Sequence, residues 1–220
     1  MKRGFVSLFI LLGVVLLFAV LSMLFIAHHI NTDMAVPEGT NAAQRLVDSC
    51  IEKLAADALR LIGQHGGMLQ PRNALSTPFG DVAYYPQGSM IDQVRAQDEI
   101  ASYIEDNIHT CLAEGFGAMQ VDAGAVDVDV TFLRDTAIVE CNMPMVAQGK
   151  GLMKEVSDFH VRVSTPILGL IERANDICNA EENFELARLG TADIFTFPEG
   201  RMLIVLTENT YKFAFATNWR

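Results

Sequence analysis

The sequence predicts an α+β domain held outside a membrane by one N-terminal helix, and three observations carry that expectation. Phe5 to Ala27, FVSLFILLGVVLLFAVLSMLFIA, is an uncharged apolar run of 23 residues, longer than the roughly 20 a helix needs to cross the hydrocarbon core. Two stretches between Thr40 and Glu114 repeat apolar residues at helical spacing. Beyond Gly117 the period shortens to two, with Val126, Val128, Val130 and Phe132 set against Asp127, Asp129 and Thr131, as in a half-buried strand. The expected organisation is a basic cytoplasmic segment at 1–4, a transmembrane helix at 5–27, a juxtamembrane linker at 28–40 and an extracytoplasmic domain at 41–220.

Charge sets the orientation. Lys2 and Arg3 precede the apolar run, whereas Asp33 and Glu38 are the first ionised residues after it, so the N-terminus is expected in the cytoplasm. A signal peptidase wants small side chains at both ends of an A-x-A-like signature. Ala19-Val20-Leu21 and Phe25-Ile26-Ala27 each supply one, which favours a retained anchor over a cleaved secretory signal. Met1-Lys2-Arg3-Gly4-Phe5 followed by an apolar helix also resembles the class III signal of type IV pilins and archaeal pilin-like proteins. That resemblance implies a processing site between Gly4 and Phe5. Bacterial members carry a glutamate five residues into the mature chain, where this sequence has Phe9.

The formal net charge is −11; setting aside Lys2 and Arg3 leaves 14 basic against 27 acidic residues, or −13 for the rest. Nucleic acid is not an expected partner, because phosphates demand a basic footprint. The bilayer is, through residues 5–27. His28 and His29 read as interfacial polar residues at the wet edge of the membrane, and Pro37 with Gly39 breaks the helical pattern.

Thr40 or Asn41 can cap a helix running to about Gln64, with Leu46, Val47, Cys50, Ile51, Leu54, Ala58, Leu61 and Ile62 on one face. Gly66 and Gly67 stop it. Met68 to Gly88 holds Pro71, Pro78, Gly80 and Pro86 and is expected to be an ordered, irregular loop, the first place to look for binding through Tyr84 and Tyr85. His65, at the helix end before Gly66, is the one imidazole in a setting suited to a site. A second helix is expected from about Ile91 to Glu114, with Ile100, Tyr103, Ile104, Ile108, Cys111 and Leu112 inward.

Cys50 and Cys111 thus lie on the inward faces of consecutive helices, and in an exterior compartment a disulfide between them is chemically allowed. Buried free thiols are the alternative. Cys141 and Cys178 fall on later elements, and four cysteines allow three pairings that spacing alone does not rank.

The strand Val126–Phe132 turns at Arg134-Asp135 into a return strand, Thr136 to Val146, and a third follows from about Glu155 to Val163. The alternating aspartates point one way in a row and cannot wrap one ion. A solvated face is expected there, and no metal or cofactor. Thr165 and Pro166 are expected as N-cap and first-turn proline of a helix carrying Ile167, Leu170, Ile171, Ala174, Ile177 and Cys178. Arg201–Thr207 and Thr210–Thr217 form a closing hairpin. The order α-α-β-β-β-α-β-β predicts a mainly antiparallel sheet with helices packed on one face.

The runs CIEKLAADALRLIGQHGGML, YIEDNIHTCL and YKFAFA behind an N-terminal anchor resemble a group of exported, anchored archaeal proteins of unknown function. The resemblance implies the anchored topology and two matched cysteines, Cys50 and Cys111. It supplies no catalytic residues, and the sequence holds no G-x-S-x-G elbow, H-E-x-x-H, C-x-x-C or P-loop. The expected role is structural or interactive at the cell surface, with other surface proteins or further copies of the chain as partners. A pilin-like filament subunit and an anchored solute-binding or hydrolytic domain are the alternatives.

Overall fold

The computed structural model describes residues 38–78, 80–116, 121–149, 152–180 and 192–218. Gly4, Phe5, the apolar run 5–27 and the linker up to residue 37 lie outside them. Among the described residues no helix is long and apolar enough to cross a membrane.

Helix α1 spans Glu38–Gln64, so it begins before the expected cap at Thr40 or Asn41, directly after Pro37. Val47, Cys50, Ile51, Leu54, Ala58 and Ile62 are buried as their spacing predicts. Ala43, Ala55 and Leu59 join them, while Leu46 and Leu61 are only half-buried. Gly66 and Gly67 end the helix with φ of 78° and 93°, and Gly67 N–H donates to Ile62 O at 2.8 Å. This six-to-one bond satisfies a carbonyl that the last turn would otherwise leave bare.

Helix α2 spans Gln93–Phe116. Its cap is Asp92, whose Oδ1 accepts from Val94 N–H at 3.0 Å and Arg95 N–H at 3.3 Å, so the helix starts two residues beyond the expected Ile91. Ala96, Ile100, Ile104, Ile108 and Leu112 form its buried stripe. Cys50 and Cys111 are bonded, with Cα atoms 5.9 Å apart. Leu61 and Tyr103 line one cleft farther along the same two helices, so moving forward on α1 means moving backward on α2, and the pair is antiparallel. Cys141 and Cys178 are free and buried.

Among the described residues, three antiparallel sheets stand where the sequence led to one. The first lies inside the supposed irregular loop, where β1 (Ala74–Thr77) pairs with β2 (Gly80–Ala83) and sets Leu75 opposite Val82. Its strands are four residues each, too short to show a period among so many prolines and glycines. In the second, β4 (Asp127–Leu133), β5 (Thr136–Gly149) and β6 (Leu152–Ser164) form a meander. The short strand β3 (Val121–Ala123), absent from the sequence-based reading, lies end to end with β4 along one edge of β5. Between them Gly124 N–H donates to Pro144 O at 2.8 Å. The register of β5 against β6 shifts between Asn142 and Met145, where Pro144 has no N–H to give the ladder.

Helix α3 (Ile167–Asn179) buries Ile167, Leu170, Ile171, Ala174, Ile177 and Cys178, the face its spacing predicts. Its N-cap is Pro166 rather than Thr165, and the Thr165 hydroxyl is buried without a hydrogen-bond partner. In the third sheet β8 (Arg201–Glu208) and β9 (Tyr211–Asn218) make the expected hairpin. A further strand, β7 (Ala192–Phe197), pairs with the other side of β8. As a half-exposed outer strand, β7 shows no clean alternation in the sequence.

Both helices of the linked pair, α3 and the inward faces of the second and third sheets contribute to one core. Val128, Val130 and Phe132 of β4 and Met202, Ile204 and Leu206 of β8 are buried within it. On the opposite face of the third sheet, Leu203 and Ala216 pack with Leu75 and Val82 of the small hairpin in a satellite core.

The crosslink closes a loop with a sequence separation of 61, which restricts the unfolded chain by about 2–4 kcal/mol. Replacing Cys50 and Cys111 together by alanine should lower the urea-unfolding stability of the detergent-solubilised chain by that amount. An unchanged midpoint would show that the tie contributes nothing.

Candidate functional site

Between the last turn of α1, the segment after Gly67 and one face of α2 lies an open cleft of about 690 Å³. Leu61, Leu69 and Tyr103 form its apolar wall; Arg72 and Arg95 bring positive charge, and Asp98, Glu99 and Asp106 bring negative charge. On α2, Asp98, Ser102 and Asp106 recur every four residues, which places them in one row.

Glu99 organises this cleft. Its Oε2 accepts from Leu69 N–H at 2.5 Å and its Oε1 from Arg95 Nε at 3.0 Å, so both carboxylate oxygens are engaged. The first bond ties the chain after α1 to α2; the second is an i, i+4 ion pair along the helix. His65 closes the same segment from below. Its Nδ1 lies 2.9 Å from Leu69 O, and because a carbonyl can only accept, Nδ1 carries the proton.

The residues expected to bind through the loop are placed close by but serve the fold. Tyr85 is buried, donates its hydroxyl to Gly66 O at 2.7 Å and its N–H to Ala216 O at 2.7 Å. Burial pushes its phenol well above the usual range, which keeps it a donor. Tyr84 donates to Asn218 Oδ1 at 2.6 Å, pairs with Ala216 as an isolated bridge, and has the Arg201 guanidinium 5.9 Å over its ring. His65 O accepts from Ala83 N–H at 3.0 Å. His65, Tyr84 and Tyr85 therefore share one seam, the line along which α1 ends, the small hairpin begins and β9 passes.

Tyr103 is the aromatic side chain that lines the cleft, and the sequence assigned it to the core stripe of α2. Arg72, Arg95, Asp98 and Glu99 carried no motif. The one signal available was the Arg95–Glu99 spacing on a predicted helix, which reads as an ordinary surface pair.

The lining contains neither histidine nor cysteine, and the carboxylates of Asp98 and Asp106 flank Ser102 one turn away on either side. Elsewhere, Cys141 and Cys178 are held from ionising. Burial pushes the first thiol up to about 11, with Glu105 and Asp127 adding to the effect, and the second up to about 12. Neither is a thiolate nucleophile near neutral pH. On the solvent face of the second sheet, Asp127 and Asp129 stand in a row beside Glu140 and Asp158, and His160 Nδ1 lies 3.7 Å from Glu140 Oε1. Among the described residues no group of three or more His, Cys, Asp or Glu side chains is arranged to hold a metal ion. The cleft sets both signs of charge beside an apolar wall.

No protein-family model matches the chain, and neither a curated protein nor a solved structure does.

Replacing Glu99 by alanine leaves the Leu69 N–H without its acceptor, a loss of about 1–3 kcal/mol for a part-buried donor. Amide hydrogen exchange should quicken across residues 66–72 and stay unchanged in β4–β6, while Glu99→Gln, which keeps one acceptor oxygen, falls in between. Equal exchange in all three proteins would remove Glu99 from its organising role.

Proposed function

We propose that this protein is a single-pass, membrane-anchored interaction protein of the cell surface. Its N-terminus lies in the cytoplasm and its α+β domain outside. The observation that carries the reading is the disulfide between Cys50 and Cys111. Such bonds persist in oxidising compartments and are rare in reducing ones, which agrees with export behind the uncharged run Phe5–Ala27 and its Lys2-Arg3 flank. The acidic balance favours solubility outside the bilayer and repulsion from anionic headgroups.

The cleft on α2 favours a second reading, an anchored solute binder. Its mixed lining suits a small molecule bearing both an anionic and a cationic group, met by Arg72 or Arg95 and by Asp98 or Asp106. Thermal stabilisation of the chain by such a solute would separate this reading from a surface that recognises only protein. The pilin-like reading requires processing between Gly4 and Phe5 and would show as filaments on the cell.

Lys53 and Lys212 are exposed and report the topology. A membrane-impermeant amine-reactive biotin applied to intact cells should label both, read by peptide mass spectrometry. Labelling that appears only after lysis would place the domain in the cytoplasm and overturn the reading.

A further inference from the structure

A β-sheet edge is a template for another strand unless something blunts it: a lysine, a proline, a bulge or a covering element. The third sheet has two such edges. That of β9 is engaged, because Tyr84 pairs with Ala216 and Tyr85 N–H donates to Ala216 O. That of β7 is paired with nothing among the described residues. Its six residues, Ala-Asp-Ile-Phe-Thr-Phe, carry one charge, at Asp193, and no lysine or proline. Its register against β8 is unbroken from Ala192 to Phe197.

The side chains add a second feature. Phe195 is 48 % exposed, one of four large apolar residues so exposed among those described. It stands opposite Leu203, on the face that carries the satellite core. Phe197 and Val205 share that face and are half-buried against the core. The small hairpin covers Leu203 and Ala216, while Phe195 extends the apolar surface outward to the open edge.

We infer that β7 joins two copies of this chain, pairing antiparallel with itself about a two-fold axis at Phe195. A second copy presents the same open ladder, and a two-fold contact of this kind is self-complementary. Residues 193–197 of each strand then overlap in full. The two Phe195 rings meet as a direct cross-strand pair, with Cβ atoms about 4.5–5.5 Å apart. The two Asp193 carboxylates are held apart by four residues along the strand direction, about 13 Å, so the acidic chains meet through a strand with one charge, placed away from the axis. The result is one continuous six-stranded sheet in which the edges of β7 are gone.

Five residues on each side make a small contact, below the roughly 1,000 Å² of a stable soluble complex. The pairing is therefore weak in dilute solution and is favoured where chains are concentrated side by side. In that respect alone it rests on the anchored reading, since confinement to a membrane raises the effective concentration.

The test uses the full chain in native membranes carrying Phe195→Cys, treated with an oxidant or a short bis-maleimide. Cys141 and Cys178 are buried and stay silent. Leu133→Cys, at the same 48 % exposure, measures random collision. Pairing predicts several-fold more covalent dimer at position 195 than at 133. In a second experiment Thr196→Cys, also exposed, should crosslink through the bis-maleimide, and adding Phe195→Lys, which sets like charges opposite each other, should abolish that dimer. Equal yields at 195 and 133 overturn the inference; if Phe195→Cys fails to accumulate, a Thr196→Cys yield no higher than that of Leu133→Cys overturns it. Loss of the dimer with Lys53 and Lys212 still labelled from outside removes the pairing alone. Dimer formation with labelling only after lysis removes the topology alone.

Discussion

The antiparallel pair of α1 and α2, tied by Cys50 and Cys111, is the constraint on which the other elements depend. Each helix is amphipathic, and neither can bury its stripe alone. Together they present Val47, Ile51, Leu54 and Ala58 from one helix and Ala96, Ile100, Ile104 and Ile108 from the other. The second sheet covers this surface, with α2 beside β4, where Glu105 Oε1 accepts from Val128 N–H at 3.0 Å. Helix α3 and the third sheet complete the same core. The covalent tie acts mainly on the unfolded chain, where it shortens the loop carrying the small hairpin, Tyr84 and Tyr85.

The same arrangement explains where the cleft forms. The disulfide pins the pair toward one end, at Cys111. Toward the other end the helices are joined by the chain that turns at Gly66 and Gly67. That turn cannot be tightened by a larger residue: a Cβ on Gly66 would stand 2.8 Å from Ala214 O, and one on Gly67 2.8 Å from Ile91 Cγ2, both below real contact distances. The chain therefore leaves α1 along one path, and Glu99 holds it against α2 with a gap between. Both oxygens of Glu99 are engaged in this, one by the Leu69 N–H and one by Arg95, so the shape of the gap and the local stability rest on the same side chain.

Much of this was legible in the sequence, for physical reasons that differ from element to element. Helical periodicity placed Cys50 and Cys111 on inward faces, and that was sufficient to make them candidates for the bond they form. Strict alternation from Val126 to Phe132 gave β4 and its solvent-facing aspartates. Periodicity says which side of an element is apolar, however, and is silent about what that side meets. That is why one sheet was expected where the described residues form three. The hairpin Ala74–Ala83 was hidden because its turn residues outnumber its strand signal, and β7 because an edge strand half-exposed on both faces has no alternation to read. The cleft had no sequence signature, since Leu69 and Glu99 are 30 residues apart and meet only when the helix pair closes. Tyr84 and Tyr85 were conspicuous as neighbours in a proline-rich segment, yet their hydroxyls are spent on Asn218 and Gly66.

The central claim joins one covalent bond to one compartment, and a single measurement bears on both. Protein extracted from its native membrane under alkylating, non-reducing conditions should yield, on peptide mapping, one crosslinked pair containing Cys50 and Cys111, with Cys141 and Cys178 recovered as free thiols. Recovery of Cys50 and Cys111 as alkylated thiols without reductant would contradict the account, because it would remove the tie between α1 and α2 and, with it, the support for an oxidising exterior.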